Sequence, residues 1–234
     1  MRLHNFFIDQ KIGEQKNVRI TDVELLHQLK NVFRLDKGAE IVFLDNSGFQ
    51  YRSKVELLSK NEGVFEILEV TENKIKPARE IFLYVSMIKK DNFEWILEKG
   101  TEIGVTHFIP VISGRSIKMN FNNERGLKIL KEASEQSKRA FVPELQAMIT
   151  LDEALKNIEE NKIQAVAFHV EDGLLKLEDF TPAETVAIFI GPEGGWSETE
   201  IEQFRKHDVA LLSLGEATLR AETAAIVAST LFLL

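Results

Sequence analysis

The spacing of apolar residues changes near residue 74, and this change divides the chain into two parts. Residues 1–73 contain short runs in which apolar and polar residues alternate, a pattern typical of β-strands with one buried face. Between two of these runs, the sequence Asp45-Asn46-Ser47-Gly48 is a turn signal of the hairpin kind. The pattern predicts a small β-barrel domain over residues 1–73, with strands at residues 3–8, 40–44, 49–58 and 64–70.

One helix is predicted within this first part, over residues 21–32. Thr21 is its expected N-cap, and Glu24, three residues later, completes a capping box. The stretch that follows the last strand, residues 71–78, is polar and contains a proline, so we expect it to link the two domains.

From residue 80 onward, apolar runs of strand length alternate with amphipathic helical patterns. This alternation predicts a parallel sheet that is covered by helices on both faces, and therefore an α/β domain over residues 74–234. Gly104 is placed to end the first helix. Strands are predicted at residues 81–88, 108–112, 165–168, 186–190 and 210–214, and helices at residues 92–103, 122–137, 151–161, from 198 and at 220–234.

Two glycine turns near the carboxyl end each follow an apolar run and precede a helix. The first run stops at Gly191, and Gly194 and Gly195 have no Cβ, so the backbone there can lie close to a bound molecule. The second run stops at Gly215. Two such turns after neighbouring parallel strands would form one crevice. For the first turn alone, a strand-to-helix connection without a ligand is an equal alternative.

The helix after the first turn has a clear start signal. Ser197 and Glu200 form a capping box, and Trp196 and Ile201 are spaced as the apolar pair that packs across a helix entrance. The helix is therefore predicted to begin at Glu198.

The sequences GPEGGWSETEI and SLGEATLRAETAA in these turns resemble the C-terminal signature of the SPOUT, or trefoil-knotted, methyltransferases. Within them, the chain is similar to the subfamily that methylates N3 of a uridine in 16S ribosomal RNA. The blocks KKDNFEWILEKGTEIGVTHFIPVISGRS and SEQSKRAFVPEL extend the resemblance, although Lys138 stands where a glycine is expected. The resemblance implies a knotted SPOUT domain over residues 74–234, a PUA-like RNA-recognition domain over residues 1–73, S-adenosylmethionine as cofactor, and a homodimer.

Composition restricts the chemistry further. The chain has no cysteine, which excludes disulfides, Cys-type zinc sites, iron–sulfur clusters and a Cys nucleophile, and leaves direct methyl transfer to a nitrogen or oxygen atom. No metal is expected. The chain contains no apolar run of membrane-spanning length and no signal peptide, so a cytoplasmic protein is expected.

The net charge of −8 is unusual for a protein that binds RNA, but the acidic residues are concentrated in one region. Residues 140–234 hold 17 Asp and Glu against 6 Lys and Arg, whereas residues 76–139 hold 8 against 12. RNA is therefore expected to contact the basic middle of the chain and patches in the first domain. A randomly charged, solvated surface is the alternative.

A crevice of backbone groups with apolar walls can hold the adenine of S-adenosylmethionine without a charged side chain, which suits turns built from glycine and apolar residues. His169 follows a predicted strand and either lines the same pocket or is a polar loop residue. The predicted cofactor-binding residues are Phe168, His169, Ile190, Gly191, Pro192, Glu193, Gly194, Gly195, Leu212, Leu214, Gly215 and Leu219.

The RNA contacts are predicted from basic and aromatic residues, because guanidinium groups pair with phosphates and aromatic rings stack on bases. The alternative is that Phe6 and Phe7 point one into and one out of the barrel, and that each basic side chain is only a solvated surface charge. The predicted RNA-binding residues are Arg2, Phe7, Arg34, Lys89, Lys90, Arg115 and Arg139.

Uridine N3 carries a proton and becomes a nucleophile when that proton leaves. A cation directed at the neighbouring carbonyl oxygen would stabilise the uracil anion, so Arg220, at the end of the second turn, is the predicted catalytic cation. Glu222 and Glu193 are the nearest carboxylates, and either could orient Arg220 or take the proton. Alternatively, Arg220 and Glu222 only brace the last helix.

Three functions are compatible with these patterns. The first is a methyltransferase that uses S-adenosylmethionine to modify uridine N3 in 16S ribosomal RNA. The second is a noncatalytic RNA-binding or ribosome-assembly factor that retains the fold. A dinucleotide-dependent oxidoreductase ranks last, because no G-x-G-x-x-G follows a predicted strand.

Overall fold

A computed structural model of the chain describes residues 3–117, 121–170 and 180–233. The chain forms two compact units, of which the first contains Met1–Lys76 and Ser134–Phe141, and the second contains Pro77–Ala133 and Val142–Leu234. None of the helices in the described ranges is long and apolar enough to span a membrane.

The first unit is built on a five-stranded sheet in the order β1-β3-β4-β5-β2. β1 pairs with β3 in parallel, and the remaining pairs are antiparallel. One face packs on a core that includes Phe6, Phe43 and Phe65. The described pairings leave β1 and β2 at opposite ends of the sheet, so it forms a half-barrel. Its strands are β1 (Asn5–Phe7), β2 (Asn17–Ile20), β3 (Glu40–Leu44), β4 (Phe49–Leu58) and β5 (Gly63–Glu72).

The helical interval of this unit differs from the prediction in its cap and its length. Helix α1 spans Val23–His27 and is followed by a π-helical turn at Gln28–Val32. The N-cap is Asp22 rather than Thr21, because the Asp22 carboxylate accepts hydrogen bonds from the backbone N–H groups of Glu24 and Leu25.

The segment Ser134–Phe141 belongs to the first unit, although its sequence position lies within the predicted second domain. The buried Asn73 side chain donates to the Lys138 carbonyl at 3.0 Å, and the Ala140 N–H donates to the Ile75 carbonyl at 3.1 Å. Lys138 has φ of 61°, so this lysine adopts the left-handed backbone conformation that the expected glycine would adopt. The glycine-like shape of the loop is therefore kept without the glycine.

The second unit contains a parallel sheet in the order β12-β10-β11-β6-β7-β8, and β9 also pairs with β7. Its strands are β6 (Glu80–Ser86), β7 (His107–Ile112), β8 (Glu144–Leu145), β9 (Ile149–Thr150), β10 (Gln164–Phe168), β11 (Thr185–Ile190) and β12 (Ala210–Leu212). The helices are α2 (Lys90–Ile103), α3 (Asn123–Ser137), whose last residues fall in the first unit, α4 (Leu151–Glu160), α5 (Glu198–Lys206) and α6 (Ala221–Leu233).

The central strands of this sheet are buried on both faces, as their continuous apolar sequences predict. In β11, Ile188 and Ile190 pack in the core that also contains residues of α2 and α6. Ala187 and Phe189 pack in a second core, together with residues of α4 and α5. The predicted fold class, a parallel α/β domain with a small N-terminal β domain, is confirmed.

The strongest local predictions also hold. The Ser197 and Glu200 capping box is present, and α5 begins at Glu198. Gly104 ends α2 with φ of 122°, a conformation that favours glycine. β12, however, ends two residues earlier than predicted, because the Ser213 hydroxyl accepts a hydrogen bond from the Gly215 N–H and starts a turn.

Candidate functional site

The carboxyl ends of β10, β11 and β12 lie side by side at one edge of the parallel sheet. Phe168 is in register with Ile190 on one side and with Leu212 on the other. The three loops that leave these strands therefore start at the same level, which is the arrangement that creates a ligand crevice in parallel sheets.

These loops surround a cavity of about 270 Å³, and its lining contains eleven of the twelve predicted cofactor residues. The exception is Leu212, whose side chain is fully buried in the core of the sheet and does not line the cavity. Six further residues also line the cavity, and the sequence did not indicate them. These are Val170, Trp196, Ala217, Thr218, Ala221 and Ala224.

Trp196 connects two of the three loops. Its indole Nε1 donates a hydrogen bond to the Phe168 carbonyl at 3.1 Å, and the side chain is 3% exposed. A Cβ added at Gly191 would lie 3.1 Å from the indole, so the glycine permits this close approach. The His169 N–H donates to the Leu212 carbonyl at 3.0 Å and connects the first loop to the third. The second loop is therefore fixed to the end of β10, and the first loop to the end of β12.

Two glycines hold the backbone at the cavity in conformations that other residues rarely adopt. Gly195 has φ of 67° and Gly215 has φ of 114°. Both line the cavity, and a Cβ at either position would have no protein atom within 4 Å. The backbone of each turn is therefore accessible to a ligand that enters the cavity.

The predicted catalytic residues lie at the third loop and at the start of α6. Arg220 is exposed and directly follows the cavity residue Leu219. Oε2 of Glu222 is buried and has no hydrogen-bond partner in the described ranges. Glu193 lines the cavity and is exposed. Within the part of the chain that is described, no ion pair joins Arg220 to either carboxylate.

Two of the predicted RNA contacts are contradicted by their burial. Phe6 and Phe7 are 1% and 3% exposed, so both rings are inside the protein and neither can stack on a base. The prediction that Phe7 contacts RNA is therefore wrong, and so is the alternative that one of the two rings points out of the barrel. Arg139 is 4% exposed, and burial lowers its pKa to about 10. A guanidinium removed from solvent in this way is not placed to bind a phosphate.

The other predicted RNA contacts are exposed or lie outside the described residues. Arg34, in the first unit, is exposed and has φ of 52°. Lys89 and Lys90 are exposed at the start of α2, where Nζ of Lys90 lies 3.6 Å from Oε1 of Glu94. Arg2 lies outside the described residues.

Arg115 has a different environment from the other predicted RNA contacts. Its Nη1 donates to the Gly194 carbonyl at 2.7 Å and to the Trp196 carbonyl at 3.4 Å. Arg115 therefore contacts the backbone of the turn that lines the cavity.

The opposite edge of the same sheet carries a second, polar cavity at the amino ends of the strands. His107 stacks on Phe82 there with a ring separation of 3.9 Å, and its Nε2 lies 3.6 Å from Glu144 and 3.9 Å from Glu80. Burial lowers the pKa of His107, although the two carboxylates oppose that shift. In the described ranges, no three His, Asp or Glu side chains are grouped as a metal site.

Comparisons with known proteins agree with this geometry. The family model described as "RNA methyltransferase domain" matches residues 75–233. A ribosomal RNA small subunit methyltransferase E from Bacillus subtilis (strain 168) is 30% identical over 243 residues, which covers 97% of this chain and 94% of that protein.

Two solved structures are similar over almost their whole length. The crystal structure of a ribosomal RNA small subunit methyltransferase E from Neisseria gonorrhoeae, bound to S-adenosyl methionine, has a TM-score of 0.90 and 28% identity, and covers 97% of this chain and 95% of that chain. A Legionella pneumophila methyltransferase in complex with the same cofactor has a TM-score of 0.89 and 26% identity, with 99% and 97% covered.

Proposed function

The chain belongs to the RNA methyltransferase family, and from that membership we propose that it transfers a methyl group from S-adenosylmethionine to small-subunit ribosomal RNA. The observation that carries the proposal is the cavity at the carboxyl edge of the sheet. Eleven of the residues predicted to bind this cofactor line that cavity. The resemblance seen in the sequence is confirmed at the level of the family.

The residues around the cavity fit this cofactor. Phe168, Ile190 and Leu219 supply apolar wall, and the backbone at Gly195 and Gly215 is open to a ligand. Apolar walls with a few backbone donors and acceptors are suited to an adenine ring. When bound, S-adenosylmethionine supplies an electrophilic methyl group. The protein residues described here bind it, orient it and act on the acceptor.

We propose N3 of a uridine in 16S ribosomal RNA as the acceptor, as the family resemblance implies. The exposed Arg220 is the group that would stabilise the negative charge of the uracil as the N3 proton leaves. Glu222 is the second proposed catalytic residue, as the carboxylate that orients Arg220 or takes the proton. Its Oε2 is buried and has no partner in the described ranges, so the side chain must turn toward the acceptor to take the proton directly.

The test of the reaction is mass spectrometry of nucleosides. Small ribosomal subunits and free 16S RNA from cells that lack the enzyme would be incubated with the protein and S-adenosylmethionine, then digested. We expect 3-methyluridine in at least one of the two substrates. Cofactor binding without any methylated nucleoside would favour the noncatalytic alternative.

The Arg220→Ala variant tests the role of the cation. We expect it to lower turnover by about 100-fold or more and to leave the affinity for S-adenosylmethionine nearly unchanged, because the group acts on the acceptor. Arg205→Ala is the matched control, since Arg205 is exposed on α5 and does not line the cavity. Equal activity of Arg220→Ala and the parent on RNA would reject the assignment.

We also propose that the protein acts as a homodimer in the cytoplasm, where ribosomal subunits are found. Trp95 on α2 and Val227 and Leu231 on α6 are 42%, 37% and 46% exposed, and these two helices pack together. Val227 and Leu231 are four residues apart and share one helix face. Light scattering would give twice the chain mass for the parent and the monomer mass for Leu231→Glu. A monomeric parent would reject the dimer.

A further inference from the structure

The loop after β7, residues 113–117, contacts the turn after β11, residues 191–197, from outside the cavity. Arg115 donates to the carbonyls of Gly194 and Trp196, at 2.7 and 3.4 Å. These two carbonyls lie on either side of Gly195, whose φ is 67°. The guanidinium therefore holds both sides of the residue that presents open backbone to the cavity.

Glu200 makes a second connection between the same two segments. Its Oε1 accepts a hydrogen bond from the Gly114 N–H at 2.7 Å. Its Oε2 accepts from the N–H and the hydroxyl of Ser197, at 2.7 and 2.8 Å. The side chain is 6% exposed, so both carboxylate oxygens satisfy donors away from bulk solvent. One carboxylate thus caps α5 and also fixes the loop after β7.

The loop after β7 is itself held in shape, so it can act as a support. The Ser116 hydroxyl accepts from the Ser113 N–H at 2.7 Å, and the Ile117 N–H donates to the Met87 carbonyl at 3.0 Å. The contacts with the turn are close, because a Cβ at Gly194 would lie 3.3 Å from Cδ of Arg115. Neither Arg115 nor Glu200 lines the cavity.

We propose that Arg115 and Glu200 are positioning residues for S-adenosylmethionine, which they reach only through the backbone of residues 194–197. The proposal rests on the proposed function and replaces the prediction that Arg115 binds an RNA phosphate. A hydrogen bond to a charged group contributes more than one between neutral groups, and here each charged group makes at least two. Loss of either side chain would let the turn depart from the conformation that binds the cofactor.

The experiment measures S-adenosylmethionine affinity by calorimetry on the full-length protein without RNA, and then KM and kcat with RNA. We expect Arg115→Ala and Glu200→Gln each to weaken cofactor binding by roughly tenfold or more, equivalent to about 1.4 kcal/mol. The KM for the cofactor should rise by a similar factor, and kcat at saturating cofactor should change much less. Arg115→Lys keeps a donor that can reach the Gly194 carbonyl, so it should restore part of the affinity.

Arg125→Ala and Glu202→Gln are the matched controls, because both residues are exposed and neither contacts the turn. Both controls should bind the cofactor as the parent does. An Arg115→Ala variant with normal cofactor affinity and a raised KM for RNA would overturn the proposal in favour of a phosphate contact. If Arg115→Ala or Glu200→Gln unfolds, the affinity of Arg115→Lys for S-adenosylmethionine becomes the test. Full parental affinity in Arg115→Lys would overturn the proposal that the contact of Arg115 with two carbonyls positions the cofactor. A parent that binds no cofactor would instead refute the proposed function.

Discussion

Replacing Trp196 with phenylalanine tests whether the indole holds the turn after β11 against the end of β10. The variant keeps an aromatic ring beside Phe204, with which Trp196 makes an edge contact at 4.9 Å. It removes Nε1, and the Phe168 carbonyl then loses the donor at 3.1 Å. An unsatisfied buried polar group costs about 1–3 kcal/mol, and the space left by the smaller ring costs about 1 kcal/mol more.

The expected loss in the free energy of unfolding is therefore about 2–4 kcal/mol. For a chain of this size, each kcal/mol lowers Tm by about 2–4 °C, so we expect Tm to fall by on the order of 10 °C. The assay is urea unfolding followed by circular dichroism, together with a thermal scan. Because Trp196 lines the cavity, calorimetry should also show weaker binding of S-adenosylmethionine.

Phe49→Leu is the matched control, since Phe49 is also an aromatic residue but is 45% exposed. We expect Phe49→Leu to change the free energy of unfolding by less than about 0.5 kcal/mol. If both variants unfold at the same urea concentration as the parent, the hydrogen bond to Phe168 does not stabilise the loops, and the reasoning is refuted.

Two further predictions follow from the turn geometry and from the second cavity. Gly195→Ala and Gly13→Ala both place a Cβ at positive φ in open space, so each should destabilise the fold by about 1–2 kcal/mol. Only Gly195→Ala should also weaken S-adenosylmethionine binding in calorimetry. Equal cofactor affinity in both variants would contradict the position of Gly195 at the site. Burial lowers the pKa of His107 in the folded protein, so as pH falls the histidine of the unfolded chain takes up a proton before that of the folded chain. The contribution of neutral His107 to the free energy of unfolding is therefore present above about pH 6.5 and is lost as pH falls below that value. His107→Gln should therefore show a smaller fall in Tm between about pH 7.5 and 5.5, and an unchanged fall would remove His107 as a cause of acid sensitivity.

The elements that were predicted correctly are those whose signals lie within a few residues of one another. The capping box of Ser197 and Glu200 needs only two side chains three residues apart, and α5 begins where it indicates. The apolar run of β11 is buried on both faces, as a continuous apolar sequence predicts. The glycines of the two cavity turns were likewise visible from the sequence alone.

The failures concern properties that depend on distant parts of the chain. Phe7 and Arg139 have the residue types expected of RNA contacts, but both are buried, and burial depends on which segments pack over a side chain. Strand β2 was missed because its four residues, NVRI, are too few to show a period, and its pairing with β5 decides its conformation. The contact of Arg115 with two backbone carbonyls of the turn after β11 also depends on a distant segment, and its charge alone does not indicate that contact.

The way in which the cavity is built has a consequence for how such a protein can change over evolution. At Gly195 and Gly215 the main chain is open to a ligand, and main-chain N–H and carbonyl groups are the same in every residue type except proline, which has no N–H. Substitutions that preserve loop shape would therefore leave the chemistry available to a ligand intact.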